Sequence, residues 1–363
     1  MSLPRRFAFE ARVASLLRTV AGESCPVRIS GSTLRVLLAG CGAVGARAAR
    51  QLATVGGVDH IVIDDPRADH VETVVRSIGS VVSALGERGW TYAEPDVVVL
   101  ATPVGHRLLA EQALALGAHV VSVSDAMEDC FDLLALHERA VSIDRTVLVG
   151  AGFSPGLTCV LARHAAAEFD SVDEIHVAKL GTGGPACARQ HHDALRSEGQ
   201  DWRDGAWVSQ RGGSGRELCW FPDPIAGADC YRAALADPVL LHRHFPSASR
   251  ITARVAATRR DRLTSRMPML RPPHPEAGAG AIRVEVRGRK AGMADVVVFG
   301  AMDRPSVGAG AVLGGVVGAL ATGGVARAGA GGLAEMIEPL AFLAELARRG
   351  VKCARFEGAM GSS

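Results

Sequence analysis

Six residues, GCGAVG at Gly40–Gly45, constrain this chain more than any others. They follow an apolar run, Arg35 to Ala39, and open a stretch of helical composition from Ala43 to Val55. His60 to Asp65 then reads as a second strand that ends in two acids. Strand, G-x-G-x-x-G, helix, strand and acid, in that order, predict the first unit of a doubly wound parallel sheet of the Rossmann type. The first glycine permits a tight turn, the second lets the backbone approach a pyrophosphate, and the third lets helix and strand pack closely. The pyrophosphate of NAD or NADP then rests on the positive end of the helix, against Gly40, Gly42, Ala43, Val44 and Gly45.

The acid pair bears on which dinucleotide. Asp64 or Asp65 at the end of the second strand accepts hydrogen bonds from ribose hydroxyls and repels a 2′-phosphate, whereas Arg67 accommodates one. The acids favour NAD. Downstream, Val71 to Leu85 reads as helix and Asp96 to Leu100 (DVVVL) as a strand buried on both faces. The turn after it, Ala101, Thr102 and Pro103, should border the dinucleotide, because ligands of open α/β sheets lie outside the carboxyl ends of the strands. Helix over His106–Leu116, strand over His119–Ser124, helix over Leu133–Ala140 and strand over Thr146–Val149 continue the pattern. A second glycine-rich turn, Gly150 to Gly156, has the wrong spacing for a phosphate loop, and Pro155 there presets the first turn of a helix from Leu157 to Phe169.

Beyond Asp173 the character changes. Glu174–Leu180, Arg250–Ala256, Ala281–Val286 and Ala294–Gly300 suggest a second α/β domain on a largely antiparallel sheet, with an exposed Pro- and Gly-rich connection between Met267 and Gly280. Pro305 to Ala326 carries no charge, but its adjacent glycine pairs make it a buried helix packed on the first domain or on a second subunit, not a membrane span. Pro339 to Arg349 is a last amphipathic helix with Leu340, Leu343 and Ala347 on one face, stopped by Gly350. The expected organisation is an N-terminal helical extension (1–33), a dinucleotide-binding domain (34–152), a second domain (153–304) and a C-terminal segment returning to the first domain (305–363).

Composition excludes several classes. At 363 residues there is room for two cores, and a net charge of +2 with 4% aromatic residues nominates neither nucleic acid nor a membrane surface. Eight cysteines without a C-x-x-C pair fit a reduced cytoplasm. Residues 7–20 are interrupted by Glu10, Arg12 and Arg18, so they read as an amphipathic helix, not a signal core. No metal is expected: there is no H-E-x-x-H, and His191–His192 and His242/His244 are only short pairs.

From the fingerprint to Val351 the chain resembles the saccharopine dehydrogenase (saccharopine reductase) family. The resemblance rests on the order of GCGAVG, VVVLATPVGH, HVVSVSDAM, VLVGAGFSPG, LGTGGPA, DWRDGAWV, MDRPSVGAG and FLAELARRGV. It implies a Rossmann domain, a second domain that binds substrate and forms a homodimer, and a cofactor-dependent oxidoreductase. Three polar positions of that family depart here: Val104 stands for Tyr, Ser154 for Asp and Thr182 for Cys.

Four residues are candidates for the chemistry. His106 follows the turn at Pro103 and brings an imidazole, a side chain suited to acid–base work, to the mouth of the nucleotide crevice, or simply opens a helix. Asp125 follows a strand end on the same rim, or caps a helix. Lys179 and Thr182 flank the loop Gly181–Gly184, which the resemblance places beside substrate; Lys179 can bind a carboxylate or be solvated. Arg189, His191, His192, Trp202 and Arg203, with Arg304 more weakly, would suit a small anionic substrate if they converge. The leading expectation is an NAD(P)-dependent oxidoreductase acting on a C–N bond, by imine reduction or its reverse. The alternatives are a trans-acting enoyl reductase on a carrier-bound substrate and a dinucleotide-binding protein that has lost catalysis.

Overall fold

The apolar run after residue 33 forms an interior strand of the first sheet, and the computed structural model describes residues 33–269 and 278–356 around it. The N-terminal extension before residue 33 and most of the Pro- and Gly-rich connection lie outside the described residues.

The first half alternates strand and helix: β1 (Leu34–Ala39), α1 (Ala43–Leu52), β2 (Val58–Asp64), α2 (Ala68–Ile78), β3 (Val82–Ala84), β4 (Val97–Leu100), α3 (His106–Ala115), β5 (His119–Ser122), α4 (Met127–Leu134), α5 (His137–Ser142) and β6 (Thr146–Val149). The second half comprises α6 (Leu157–Ala166), β7 (Ser171–Leu180), α7 (Pro185–Arg196), β8 (Gly199–Arg203), β9 (Ala206–Gln210), β10 (Glu217–Trp220), β11 (Gly227–Arg232), α8 (Asp237–His244), β12 (Arg250–Ala256), α9 (Arg259–Thr264), β13 (Gly280–Lys290) and β14 (Met293–Asp303). The chain continues through α10 (Pro305–Ala321), β15 (Gly329–Gly332), α11 (Leu333–Met336), α12 (Pro339–Arg348) and β16 (Cys353–Arg355).

The expected α/β fold is present. The first sheet has seven parallel strands in the order β15-β6-β5-β4-β1-β2-β3. Strand order reverses between β1 and β4, which opens a crevice at their carboxyl ends. Strands β4, β5 and β6 are buried at every residue, as β-branched runs covered by helices on both faces must be.

The second sheet runs β10-β11-β12-β7-β13-β14-β16, with β8 pairing β12 and β9. Its pairings are antiparallel except β12 with β7. Ile175, Val177, Val284 and Val286 are buried, and α6 lies against β7, β13 and β14. On the opposite side Arg254, Glu285 and Arg283 form ion pairs.

The segment after Arg304 serves both sheets. Helix α10 lies along α1, β15 adds a seventh strand beside β6, and β16 extends the second sheet beside β14. Side chains are excluded where α10 meets α1: a Cβ on Gly310 would stand 2.9 Å from the Arg47 carbonyl carbon. The apolar stretch is therefore a buried helix packed on the first sheet's layer. Among the described residues no helix is long and apolar enough to cross a membrane.

Several local expectations are corrected. The helix read over Val71–Leu85 ends at Ile78, and Val82–Ala84 is the edge strand β3. Leu133–Ala140 spans two short helices, α4 and α5. Pro155 does not begin α6; it follows Ser154 through a cis peptide and precedes the N-cap Gly156. In α12 the buried face is Pro339, Phe342 and Leu346, while Leu340 is 66% exposed. Both histidine pairs lie on helices, α7 and α8.

Candidate active site

The phosphate loop has the geometry its glycines require. Gly40 has φ +96°, and a Cβ there would stand 2.6 Å from the Ala101 carbonyl oxygen, so glycine lets the loop touch the turn after β4. A Cβ on Gly45 would stand 2.0 Å from the Gly40 carbonyl oxygen. At Gly42 the nearest heavy atom to such a Cβ is Arg67 Nη2, 3.9 Å away, so the backbone is open on that side. Helix α1 has no side chain capping its N-terminus and no acid in its first turn, which leaves its amides available to an anion. These residues fit the pyrophosphate of a dinucleotide.

The loop opens into a cleft of about 1110 Å³ between the two sheets. Its first wall is Gly40, Gly42, Ala43, Val44, Asp64, Asp65, Arg67 and the turn Ala101–Val104; its second is Lys179 to Gly184 with Cys187, Arg189 and His191. Gly45 lies behind the wall, where it supports the loop.

At one end of the cleft the two acids are already engaged. Asp64 Oδ2 accepts the Trp90 indole N–H at 2.7 Å. Asp65 accepts the Cys41 backbone N–H at 2.7 Å and both Nε and Nη2 of Arg67, at 2.9 and 2.7 Å. Burial alone would raise the Asp65 pKa, but the bonds from Arg67 and Cys41 prevail and bring it down to about 2.

At the other end the sheets exchange charge. Lys179, at the carboxyl end of β7, donates from Nζ to Asp125 Oδ2 at 2.9 Å and to the Ser154 carbonyl oxygen at 3.4 Å. Its ammonium is almost wholly buried. Burial works against the charge, but the carboxylates of Asp125 and Asp237 outweigh it and hold the pKa above the ordinary lysine value. Behind Ser154 lies Asp237, fully buried, which accepts the Thr158 hydroxyl at 2.6 Å and the Ser154 hydroxyl at 3.2 Å. Desolvation pushes the Asp237 pKa up, against the pull of Lys179. His191 faces this group with Nδ1 buried and without a partner; burial, assisted by Lys179, lowers its pKa to about 4, so the ring is neutral at pH 7.

Of the four chemical candidates, Asp125, Lys179 and Thr182 line the cleft and His106 does not. His106 is a correction: it is fully buried, with Nδ1 on the Ser122 hydroxyl and Nε2 on the Thr102 carbonyl, both at 2.9 Å. It fixes the turn after β4 to β5 and has no ring nitrogen left for substrate. The proposed polar group of the second domain does not converge either. Arg189 and His191 reach the cleft, but His192 bonds the Met267 carbonyl, Arg203 pairs with Asp201, and Trp202 packs on Trp207 and His242. Asp237, Thr158 and Cys187 were missed. Their only local signal was an acid at the first position of α8; the rest is tertiary. Among the described residues no three His, Cys, Asp or Glu side chains are grouped to hold a metal.

No family model matches the chain. Solved structures that resemble it include the DAP dehydrogenase of C. glutamicum in complex with DAP, at 14% identity over 88% of this chain and 99% of that one, TM-score 0.47. The amine dehydrogenase of Mycobacterium smegmatis is 11% identical over 86% of this chain and 98% of that one, TM-score 0.48. GenD2 from gentamicin A biosynthesis, in complex with NAD, is 14% identical over 93% of this chain and 100% of that one, TM-score 0.40.

Proposed function

We propose that this chain is an NAD(P)-dependent oxidoreductase acting on the C–N bond of a small anionic substrate, by imine reduction or its reverse. The observation that carries the reading is the Lys179–Asp125 pair, which joins the two sheets at the mouth of the nucleotide crevice. A bound nicotinamide supplies or accepts the hydride; the chain has to hold the substrate, exclude water and move a proton. Lys179 keeps its proton, because the surrounding carboxylates raise its pKa. It therefore serves as a fixed positive charge for a substrate carboxylate and as the anchor of Asp125. Asp125 is the group left to exchange a proton, and a carboxylate oxygen matches a protonated substrate nitrogen. His191 Nδ1, neutral and unpartnered, offers a further polar contact.

The motif resemblance to the saccharopine dehydrogenase family supports the same reaction class. The departures Val104, Ser154 and Thr182 do not empty the site: Ser154 hands its hydroxyl to the carboxylate of Asp237, and Lys179 and Asp125 remain. The proposal extends to the cytoplasm, supported by the free thiols of all seven cysteines among the described residues. It extends also to a homodimer, which the family resemblance alone supports.

The test is NADH or NADPH oxidation, followed optically, with a panel of amine and keto-acid pairs. Wild type should turn over at least one pair, and Asp125→Asn should lose about 10²-fold or more in kcat while still binding dinucleotide. No oxidation with any pair, or full activity in Asp125→Asn, would overturn the reading.

A further inference from the structure

We infer that the adenosine end of the cleft is built for a 2′-phosphate, and so for NADP(H), with Arg67 as the residue that selects it. The inference rests on the dinucleotide reading above and deepens it. The sequence assigns Asp64 or Asp65 to the ribose hydroxyls; the fold gives the Asp65 carboxylate other work. Oδ1 accepts the Arg67 backbone N–H at 3.0 Å and Nε at 2.9 Å, while Oδ2 accepts the Cys41 N–H and Arg67 Nη2, each at 2.7 Å. Two oxygens offer about four acceptor sites, and all four are taken. A ribose hydroxyl could reach Asp65 only by displacing a bidentate guanidinium, the strongest partner a carboxylate finds among side chains.

What this arrangement offers the ligand is Arg67. The Asp65 side chain is 5% exposed and that of Arg67 58%. Nε and Nη2 are spent on Asp65, which leaves Nη1 for a further acceptor, and the guanidinium stands beside Gly42 of the phosphate loop. Because the pair is internally neutral, Asp65 no longer repels a phosphate as a bare carboxylate would. The other charges on this wall are Arg47, Arg50 and Asp64, with His70 beside them, so cations outnumber acids. Arg50 is held in place by the Ala46 carbonyl at 2.8 Å and the Ser77 hydroxyl at 3.1 Å. Asp64 keeps one oxygen on Trp90, and its second is available to the 3′-hydroxyl, which an NADP ribose retains.

The test uses the full chain and two nucleotides that differ only at the 2′ position, 5′-AMP and adenosine 2′,5′-bisphosphate, with NAD and NADP as the whole cofactors. Binding is read by calorimetry and by the shift in melting temperature, independently of turnover. The bisphosphate should bind about tenfold or more tightly than AMP at low salt, and NADP more tightly than NAD by a similar factor. The gap should narrow as salt rises. Arg67→Met should close it through the loss of bisphosphate and NADP affinity, and Arg67→Lys should restore part of it. Equal binding of the two nucleotides, or tighter binding of AMP and NAD, would overturn the inference while leaving the dinucleotide site intact; so would a gap that persists in Arg67→Met. If none of the four ligands binds, the dinucleotide reading fails and this one with it.

Discussion

His242 lies between two tryptophans, with ring centroids 3.9 Å from Trp202 and 5.3 Å from Trp207, and neither of its nitrogens has a partner. Burial lowers its pKa to about 4, and it does the same to His244 and, with Lys179, to His191. The unfolded chain titrates these rings near 6.5. Their contribution to stability is therefore complete above about pH 6.5 and is lost as the pH falls toward 4, because the unfolded state takes up protons that the folded state refuses. His242→Phe keeps a ring between the tryptophans and removes one such proton. Its melting temperature should fall less steeply between pH 7 and 5 than that of wild type; parallel curves would show that His242 does not titrate on unfolding. His106 differs in kind, since both its nitrogens are bonded. His106→Ala takes one of two partners from the Ser122 hydroxyl, which keeps the Ser124 N–H, and frees the Thr102 carbonyl; it should cost about 1–3 kcal/mol in urea unfolding. Sequence could place this histidine at the start of a helix, next to the right turn. Whether the ring turned to the cleft or into the core depended on Ser122, sixteen residues on, which no local pattern reports.

Among the elements, legibility followed how local the determinant was. The phosphate loop could be read because its geometry is a property of backbone and glycine, and the strands β1, β4 and β6 because burial on both faces leaves an unbroken apolar run. Edge strand β3 could not, since three residues after a helix carry no period. The hairpin of β8 and β9 turns through Asp204 and Gly205, both with positive φ, a two-residue signal that passed unused. Helix α10 was legible as buried against the first domain or a second subunit but not as to the residues it meets, because its glycines face several neighbours: Gly310 meets Arg47, Gly308 meets Phe153 and Gly315 meets Phe342. Gly310→Val would drive side chain into the α1 backbone, and α1 begins at the phosphate loop. It should lower stability by about 1–3 kcal/mol in chemical denaturation and weaken dinucleotide binding as well. A variant as stable as wild type would mean that α10 can move away from α1 at no cost.

At the scale of the molecule, the two sheets are held in register by charge as well as by Lys179. Arg243 of α8 and Arg327, ahead of β15, both pair with Glu335 of α11, whose side chain is 4% exposed; the distances are 2.9 and 3.2 Å. Glu335→Ala would remove the carboxylate that Arg243 and the partly buried Arg327 share, and should cost about 3–5 kcal/mol in urea unfolding, more than any loss of packing volume there. An unchanged midpoint would place the adhesion between the sheets elsewhere. The same region sets a timetable. Strand β6 ends the first run of alternating strands and helices, yet its outer neighbour β15 is encoded far downstream, with Thr146 paired to Gly329. A ribosome adding about 5–20 residues per second needs roughly 10–40 s to cover that interval. Throughout it the nascent first sheet presents β6 as an open edge, a template for any passing strand. Helix α10, which packs on α1 beside the phosphate loop, emerges only shortly before β15. A chaperone that shields that edge, or slow decoding placed after it and not before, would decide how much of the newly made chain reaches the native topology.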